Sequence, residues 1–349
     1  MEISCESRLT NVFIHLELKQ RLMSYRQLNI MFGSACDMKC GYCLQTNGLS
    51  PADKKADAQE FVQKLLPHLN GQTPKKIMYW GGEPMLYWER IKTIHSLLSE
   101  NGIVPSQSVI TTNGRRLTES YVDYANSHED IWTTVSCHGW DFTDKQLETI
   151  FKLKRFSLSE LVHHFRTDLW EIRDRYYEIK DKFGVSPNLC VHFLRANDGC
   201  NTDYYMTKED VDKFCDHIRT EVIPMARLGD EWAQWQCSQL LFERDRIIAK
   251  GIGPLCVRSD QLSIDLHGNV YNCHHNYCKT NIVRNVFEKV IPIQKADSLC
   301  GSRFFNSEEC QSCELLEQCR GGCYTSNTHE VDCYFAKERA KLYEIMERR

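Results

Sequence analysis

The distribution of cysteine is the feature that most restricts what this chain can fold into. Eighteen of the 349 residues are cysteine, with three inside residues 36–43 and ten between positions 237 and 333. This content is below the roughly 8–10% of small disulfide scaffolds. The first residues, MEISCESRLT, lack the apolar core of a secretory signal. We therefore expect a cytoplasmic protein whose clustered cysteines bind metal or do chemistry rather than form disulfides.

Charge and hydropathy exclude two classes of partner. The 43 basic and 47 acidic side chains give a formal net charge of −4, so no basic surface for nucleic acid is indicated. No apolar run reaches the roughly 18 residues that a membrane span needs. We expect neither a nucleic acid nor a membrane as partner.

Apolar and amphipathic segments alternate along the first two thirds of the chain, which is typical of βα units. Strands are predicted at residues 27–33, 76–80, 108–112, 131–136, 189–194 and 221–226. Helices are predicted at residues 56–69, 86–100, 117–126, 143–153 and 207–220. The pattern of Ser157 and Glu160 resembles a capping box, which predicts a further helix from there to Phe183. Six units are too few for a closed eight-fold barrel, so the fold class is α/β, a partial (β/α)6 barrel with its site at the strands' carboxyl ends.

The character of the sequence changes past about residue 230. Helical periodicity stops, and residues 265–271 predict a small hairpin with its turn at Gly268 and Asn269. A last amphipathic helix is predicted at residues 334–347. We therefore expect a barrel over residues 1–240, followed over residues 241–349 by a small cysteine-rich, irregular module.

The first cysteine cluster directly follows the first predicted strand. Cys36, Cys40 and Cys43 lie within eight residues, and three thiolates can hold three irons of a 4Fe–4S cluster and leave the fourth iron open. A zinc knuckle is the alternative, but structural zinc needs four closed ligands and no fourth is obvious nearby.

This cluster, with Tyr42 before its last cysteine, resembles the motif of the radical S-adenosylmethionine superfamily. Three further segments fall at successive strand ends, where that superfamily binds the cofactor. They contain Gly81, Gly82, Glu83 and Pro84, then Thr112 and Asn113, then Ser136. Each segment alone has an ordinary alternative as a turn or a helix cap. The resemblance implies that S-adenosylmethionine is cleaved reductively and that hydrogen is then abstracted from a substrate.

The second set of cysteines resembles the seven-cysteine signature of the SPASM domain. A zinc ribbon over residues 310–323 is the alternative. The resemblance implies three 4Fe–4S clusters in total, two of them in this module. It assigns the inner auxiliary cluster to Cys256, Cys273 and Cys323, and the outer one to Cys310, Cys313, Cys319 and Cys333. Cys237 is a tentative fourth ligand of the inner cluster, with a buried structural role as the alternative.

Three residues are candidates for catalysis. Cys137 and His138 follow the fourth predicted strand, at the end that faces the expected radical site. His274 follows a cluster cysteine, where sulfatase-maturing relatives have an aspartate that acts as a base, and histidine titrates near neutrality. A histidine that merely packs against the cluster is the alternative.

The resemblance implies an enzyme that modifies a peptide or protein by cross-linking, epimerisation or oxidation. It also implies a flavodoxin-like or ferredoxin-like electron donor. Many peptide-modifying relatives carry an N-terminal leader-binding domain. Because only 35 residues precede Cys36, we expect a leader peptide to be bound by a separate leader-binding protein or by the catalytic domain itself. Two alternatives stay open: a radical dehydrogenase or rearrangement enzyme for a small molecule, and a non-catalytic iron–sulfur electron carrier. The segment from Gly81 to Pro84 argues against the carrier, which has no use for a methionine-binding loop.

Overall fold

The computed structural model describes most of the barrel and parts of the C-terminal region. The described residues are 26–43, 56–69, 71–137, 140–194, 201–249, 261–271, 284–287, 307–319, 321–322, 326 and 328–348.

A nine-stranded sheet forms the centre of this structure. Its strands are β1 (Gln27–Met31), β2 (Lys76–Trp80), β3 (Gln107–Thr112), β4 (Ile131–Ser136), β5 (Phe156–Val162), β6 (Leu189–Phe193), β7 (Gln261–Asp265), β8 (Asn269–Tyr271) and β9 (Arg284–Asn285). The spatial order is β6-β5-β4-β3-β2-β1-β7-β8-β9. Strands β1 to β6 run parallel in chain order, so their carboxyl ends lie on one edge. This arrangement confirms the α/β class predicted from the sequence.

Helices connect and cover the strands. They are α1 (Ala58–Leu69), α2 (Trp88–Glu100), α3 (Glu119–Ser127), α4 (Asp144–Phe151), α5 (Leu169–Phe183), α6 (Lys208–His217), α7 (Ile223–Arg227), α8 (Glu231–Ala249), α9 (Glu308–Gln311), α10 (Leu316–Cys319) and α11 (His329–Glu347). A short 3₁₀ turn, Pro84–Tyr87, precedes α2. None of the helices in the described part of the chain is long and apolar enough to cross a membrane.

Alternation along the strands separates a helix-covered face from a more polar one. In β2, Ile77 and Tyr79 are buried in the core, whereas Met78 and Trp80 are only partly buried. On β1, Asn29 lies on the other face and donates to the Ser263 hydroxyl of β7 at 2.9 Å. Because side chains alternate between the two faces of a strand, Asn29, Met78 and Trp80 belong to the face opposite the core residues Ile77 and Tyr79.

Two predicted elements are wrong. A helix was predicted where the structure has a strand, and a strand was predicted where it has a helix. Residues 156–162 form strand β5, not the start of a helix, because Leu158, Glu160 and Val162 are buried with a period of two. The helix instead begins after Asp168, whose carboxylate accepts from the Trp170 amide at 2.8 Å. The resemblance of Ser157 and Glu160 to a capping box is incidental.

Residues 221–226 are helical, although a strand was predicted there. A π-helical turn, Ile218–Val222, joins α6 to α7, and Pro224 lies in the first turn of α7. Ile218, Val222 and Ile223 are all buried in one core cluster, so the apolar run covers one side of a helix. Strand β5 therefore takes the place of residues 221–226 among the strands β1 to β6.

Helix α8 runs across the domain boundary that was expected near residue 240. Trp235 Nε1 and Gln236 Nε2 both donate to the Leu189 carbonyl of β6, at 2.8 and 3.1 Å. These bonds occupy a main-chain acceptor at the edge of the sheet. The hairpin was predicted in the right place, but its turn is residues 266–268, Asn269 begins β8, and β7 extends the parallel sheet beside β1.

Candidate functional site

The first cysteine cluster lies in the loop directly after β1. Cys36 is exposed, Cys40 and Cys43 are partly buried, and the Cys43 amide donates to the Cys40 carbonyl at 3.0 Å. Burial, and then the neighbouring Cys43 and Cys36 thiols, raise the pKa of Cys40 to about 11. Burial also raises the pKa of Cys36, so the Cys36 and Cys40 thiols resist losing their protons until a cation binds them. We call residues 33–43 the cysteine loop.

Gly81 and Gly82 allow the loop after β2 to pack directly against the start of the cysteine loop. The Gly82 amide donates to the Gly33 carbonyl at 2.9 Å, and the Glu83 amide donates to the Ala35 carbonyl at 2.8 Å. A Cβ atom at Gly82 would lie 2.3 Å from the Ala35 carbonyl oxygen. No side chain fits there, so the glycine is required by close approach of two backbones.

Glu83 connects the end of β2 to the end of β3. Its side chain is 1% exposed. One carboxylate oxygen accepts from the Thr112 hydroxyl at 2.6 Å and from the Met85 amide at 2.9 Å, and the other accepts from the Asn113 amide at 2.8 Å. Burial raises the pKa of Glu83, while these hydrogen bonds oppose the shift. Glu83, Thr112 and Asn113, all predicted cofactor contacts, are therefore in mutual contact.

Asp37, inside the cysteine loop, is bound by two side chains of the loop after β3. Asn113 Nδ2 donates to one carboxylate oxygen at 2.7 Å, and Arg116 Nε donates to the other at 2.7 Å. Burial alone would raise the pKa of Asp37, but the bonds from Asn113 and Arg116 outweigh it and lower the pKa. These two hydrogen bonds join the cysteine loop to the loop after β3.

The far end of the cysteine loop contacts the segment after β6. The Asn201 amide donates to the Gly41 carbonyl at 2.9 Å, and a Cβ at Gly41 would lie 2.5 Å from the Tyr204 ring. Tyr42 packs against Tyr204 and His163, with ring centroids 5.5 and 5.2 Å apart. The aromatic residue of the motif is therefore surrounded by the loops that follow β5 and β6.

Ser136 and Cys137 end β4 but face in opposite directions. Ser136 is partly buried, whereas Cys137 is 1% exposed and lies in the core cluster beside α4 and α5. Burial raises the pKa of Cys137 well above its ordinary value. Alternation along β4 turns the Cys137 thiol into the core, and its catalytic role stays a prediction. His138 lies outside the described residues.

The four cysteines assigned to the outer auxiliary cluster line one cavity of about 380 Å³. Cys310, Cys313, Cys319 and Cys333 come from α9, the turn after it, α10 and α11. Burial, and then Cys333 and Cys310, raise the pKa of Cys319. Within the described residues no group of three or more His, Cys, Asp or Glu side chains has the geometry for a single metal ion. Thiols that line a cavity are the donor type that iron–sulfur clusters use.

The inner auxiliary cluster cannot be built from the described residues. Cys256, Cys273, Cys323 and His274 lie outside them. Cys237 is partly buried on α8 and packs against the core cluster of the second half of the barrel. Burial raises its pKa to about 11. Its role as a fourth ligand stays a prediction.

Sequence reasoning missed the residues that hold the cysteine loop in place. These are Asp37, Tyr87, Arg116, Asn201 and Tyr204. Asp37 had a usable signal, since a carboxylate between two candidate ligands calls for a partner. The others are far away in sequence and carry no local pattern.

Sequence comparison finds related proteins for this arrangement. A family model described as a 4Fe-4S single cluster domain matches residues 26–137, which span β1 to β4. The radical SAM cyclopropyl synthase TigE of Paramaledivibacter caminithermalis is 20% identical over 354 aligned residues, covering 93% of this chain and 73% of TigE. The GTP 3′,8-cyclase of Lactiplantibacillus plantarum is 31% identical over 96 residues, 27% of each protein.

Solved structures share the fold over most of the chain. The structure of anSMEcpe with bound AdoMet covers 92% of this chain and 93% of its own, with a TM-score of 0.65 and 15% identity. Streptococcus suis SuiB bound to the precursor peptide SuiA covers 93% and 79%, with a TM-score of 0.61 and 19% identity. At sequence identities of 15% and 19%, these comparisons show that this chain shares the fold of anSMEcpe and SuiB.

Proposed function

We propose that this chain is a radical S-adenosylmethionine enzyme of the SPASM type, an interpretation supported by its likeness to TigE and by the fold it shares with anSMEcpe and SuiB, and that it modifies a peptide or protein. One observation carries the proposal. The fold match extends over 93% of the chain to SuiB, whose structure contains a bound precursor peptide. The anSMEcpe fold has likewise been solved with a bound Cp18Cys peptide, and it covers 91% of this chain. Because one fold can host unrelated functions, this analogy supports the substrate class only together with the residues of the site.

The residues of the first site fit the cofactors of such an enzyme. Cys36, Cys40 and Cys43 would hold the 4Fe–4S cluster, with S-adenosylmethionine beside it along the ends of β2, β3 and β4. When bound, this pair supplies a one-electron cleavage that ends with hydrogen removed from the substrate. We assign Gly82 and Glu83 to shaping this site, since their contacts fix the loops after β2 and β3 against the cysteine loop. The outer auxiliary cluster would be held by the four cysteines of the 380 Å³ cavity.

An aromatic surface beside the cysteine loop supports a peptide substrate. Phe165 is 63% exposed at the tip of a turn in which the Arg166 amide donates to the His163 carbonyl at 2.7 Å. Arg166 is fixed in turn by the buried Glu160, at 3.0 Å. The Phe165 ring packs edge-on to Tyr204, which contacts Tyr42. We propose that this rigid, exposed ring contacts the substrate near the radical site.

One observation favours an enzyme for a small molecule. The segment matched to the GTP 3′,8-cyclase has the higher identity, and that protein's name gives a nucleotide as its substrate. The match covers only 27% of this chain, so most of the chain lies outside it. The electron-carrier alternative is disfavoured by the packed Gly82 and Glu83 loop, for which a carrier has no use.

The experiment is an anaerobic assay with a short peptide encoded beside this chain's gene. The peptide is perdeuterated and mixed with reconstituted enzyme, S-adenosylmethionine and a chemical reductant. We expect a mass change in the peptide and deuterium in the 5′-deoxyadenosine produced. A Cys40→Ala variant is the control and should give neither.

The outcome distinguishes the candidate functions. Deuterium in 5′-deoxyadenosine identifies the peptide as the hydrogen donor. If 5′-deoxyadenosine forms at the same rate with and without the peptide, and neither mass nor deuterium changes for any candidate peptide, the peptide proposal is wrong. Deuterium transfer from a deuterated nucleotide in place of the peptide would then establish the small-molecule alternative.

A further inference from the structure

The loops after β1, β2 and β3 are joined in a closed circuit of hydrogen bonds. The circuit runs from Ala35 to the Glu83 amide, through the Glu83 carboxylate to Asn113, and from the Asn113 side chain to Asp37. Asp37 and Ala35 are two residues apart in the cysteine loop. Three segments 30 to 76 residues apart in sequence therefore hold one another, and Asp37 closes the circuit.

Each carboxylate oxygen of Asp37 accepts a hydrogen bond from a different side chain. Asn113 binds the first oxygen, and Arg116 binds the second. The Asp37 side chain is 20% exposed and that of Arg116 is 50% exposed, so the ion pair alone contributes little, as is usual at a surface. The hydrogen bond from Asn113 is partly buried, and the main chain of Asn113 is held by Glu83. The main contribution of Asp37 is therefore to hold the cysteine loop against the loop after β3, and its ion pair with Arg116 adds little.

We propose that Asp37 is a positioning residue that couples the cluster-binding cysteine loop to the cofactor-binding loop after β3. Asp37 lies between Cys36 and Cys40, so its anchor limits where the thiols can move relative to Thr112 and Asn113. Two sites that share a fixed element bias each other's binding free energy. The inference depends on the radical-generating site and not on the identity of the substrate.

The chain offers a matched control for this proposal. Arg115, next to Arg116, pairs with Asp141 at 2.6 Å, and Asp141 is 80% exposed. This second pair is also an aspartate bound to an arginine of the same loop, but none of the contacts of the circuit includes it. Asp141→Asn therefore removes a comparable charge without opening the circuit.

The test compares Asp37→Ala, Asp37→Asn and Asp141→Asn in the reconstituted, full-length enzyme. Affinity for S-adenosylmethionine is measured by anaerobic equilibrium dialysis, and the reduced cluster by electron paramagnetic resonance with and without the cofactor. We expect Asp37→Ala to bind the cofactor at least about fivefold more weakly, the lower end of typical coupling, and to change the cofactor-induced shift of the spectrum. Asp37→Asn, which keeps an acceptor oxygen, should lie between Asp37→Ala and the wild type, and Asp141→Asn should match the wild type.

Hydrogen exchange supplies a second measurement if Asp37→Ala fails to retain iron. In the reconstituted Asp37→Asn enzyme, the amides of Glu83 and Asn113 should exchange faster than in the wild type or in Asp141→Asn. Faster exchange confined to the three loops supports the proposal. Unchanged exchange with unchanged affinity would overturn it, as would faster exchange spread evenly over the whole sheet, because that result describes a merely destabilised fold.

Discussion

At the scale of single residues, the site depends on how closely its loops pack against one another, and less on the charges of its side chains. Gly82 is needed because the main chain of the cysteine loop occupies the space of its side chain, with the Ala35 and Ser34 oxygens at 2.3 and 2.4 Å from a Cβ. Glu83 is a buried acid with three donors, and its role is to align two loops. The sequence motif predicted that both residues contact the cofactor. The motif alone does not show that the Glu83 carboxylate accepts hydrogen bonds from Thr112 and Asn113 of the protein itself.

Gly82→Ala should displace the cysteine loop. Overpacking of this kind costs about 1–3 kcal/mol of stability, and here it also moves the cluster ligands relative to β3. We expect lower iron retention and weaker S-adenosylmethionine binding, measured by iron analysis and equilibrium dialysis. Gly184→Ala is the control, because Gly184 has a φ of +67° at the end of α5 and no atom near a Cβ. This variant should lose about 1–2 kcal/mol of stability to the left-handed backbone and keep both its iron and its affinity for S-adenosylmethionine. Equal behaviour of the two variants would refute the packing argument.

At the scale of elements, strand ends could be predicted and the contacts between their loops could not. Strands β2 and β4 lie where alternation and β-branched residues predicted them, because these signals are local. Strand β5 was missed because the Ser157 and Glu160 spacing suits a helix cap equally well. Only tertiary burial of Leu158 and Val162 decides between the two. The partners of Asp37 and Tyr42 come from other loops, so no local pattern could reveal them.

The turn after β5 should make stability depend on pH. Burial, and then the charges of Arg166 and His164, lower the pKa of His163 from 6.5 to about 4. Between these values the unfolded chain binds a proton that the folded chain does not, so stability falls as the pH falls through this window. The apparent Tm of the wild type should therefore drop more than that of His163→Gln between pH 7.5 and 5.5, in anaerobic thermal scans. A Tm difference between the two that stays constant over this range would contradict the shift.

At the scale of the whole molecule, two cysteine sets are separated by most of the barrel. The resemblance to the SPASM signature groups Cys310, Cys313, Cys319 and Cys333, and these four residues line one cavity. They come from two short helices, the turn between them and the start of α11, and their role as cluster ligands stays a prediction. The three cysteines assigned to the inner auxiliary cluster, Cys256, Cys273 and Cys323, are far apart in sequence. The fold class alone does not predict how close together they lie.

Iron content tests this division of the cysteines. After anaerobic reconstitution we expect about three 4Fe–4S clusters per chain, from three matched cysteine sets in a fold that holds such clusters through thiolates. The double substitution Cys310→Ser and Cys313→Ser should lose about one cluster's iron and keep the S-adenosylmethionine-dependent signal. One cluster together with stoichiometric zinc would contradict the assignment of the auxiliary clusters.

The central claim is that the cysteine loop holds the cluster at which S-adenosylmethionine is cleaved. The most direct measurement is the amount of 5′-deoxyadenosine formed from S-adenosylmethionine under anaerobic reduction, for the wild type and for Cys40→Ala. The wild type should form it, and Cys40→Ala should form none while it keeps the iron of the auxiliary clusters. Undiminished 5′-deoxyadenosine from Cys40→Ala would contradict the assignment of the site.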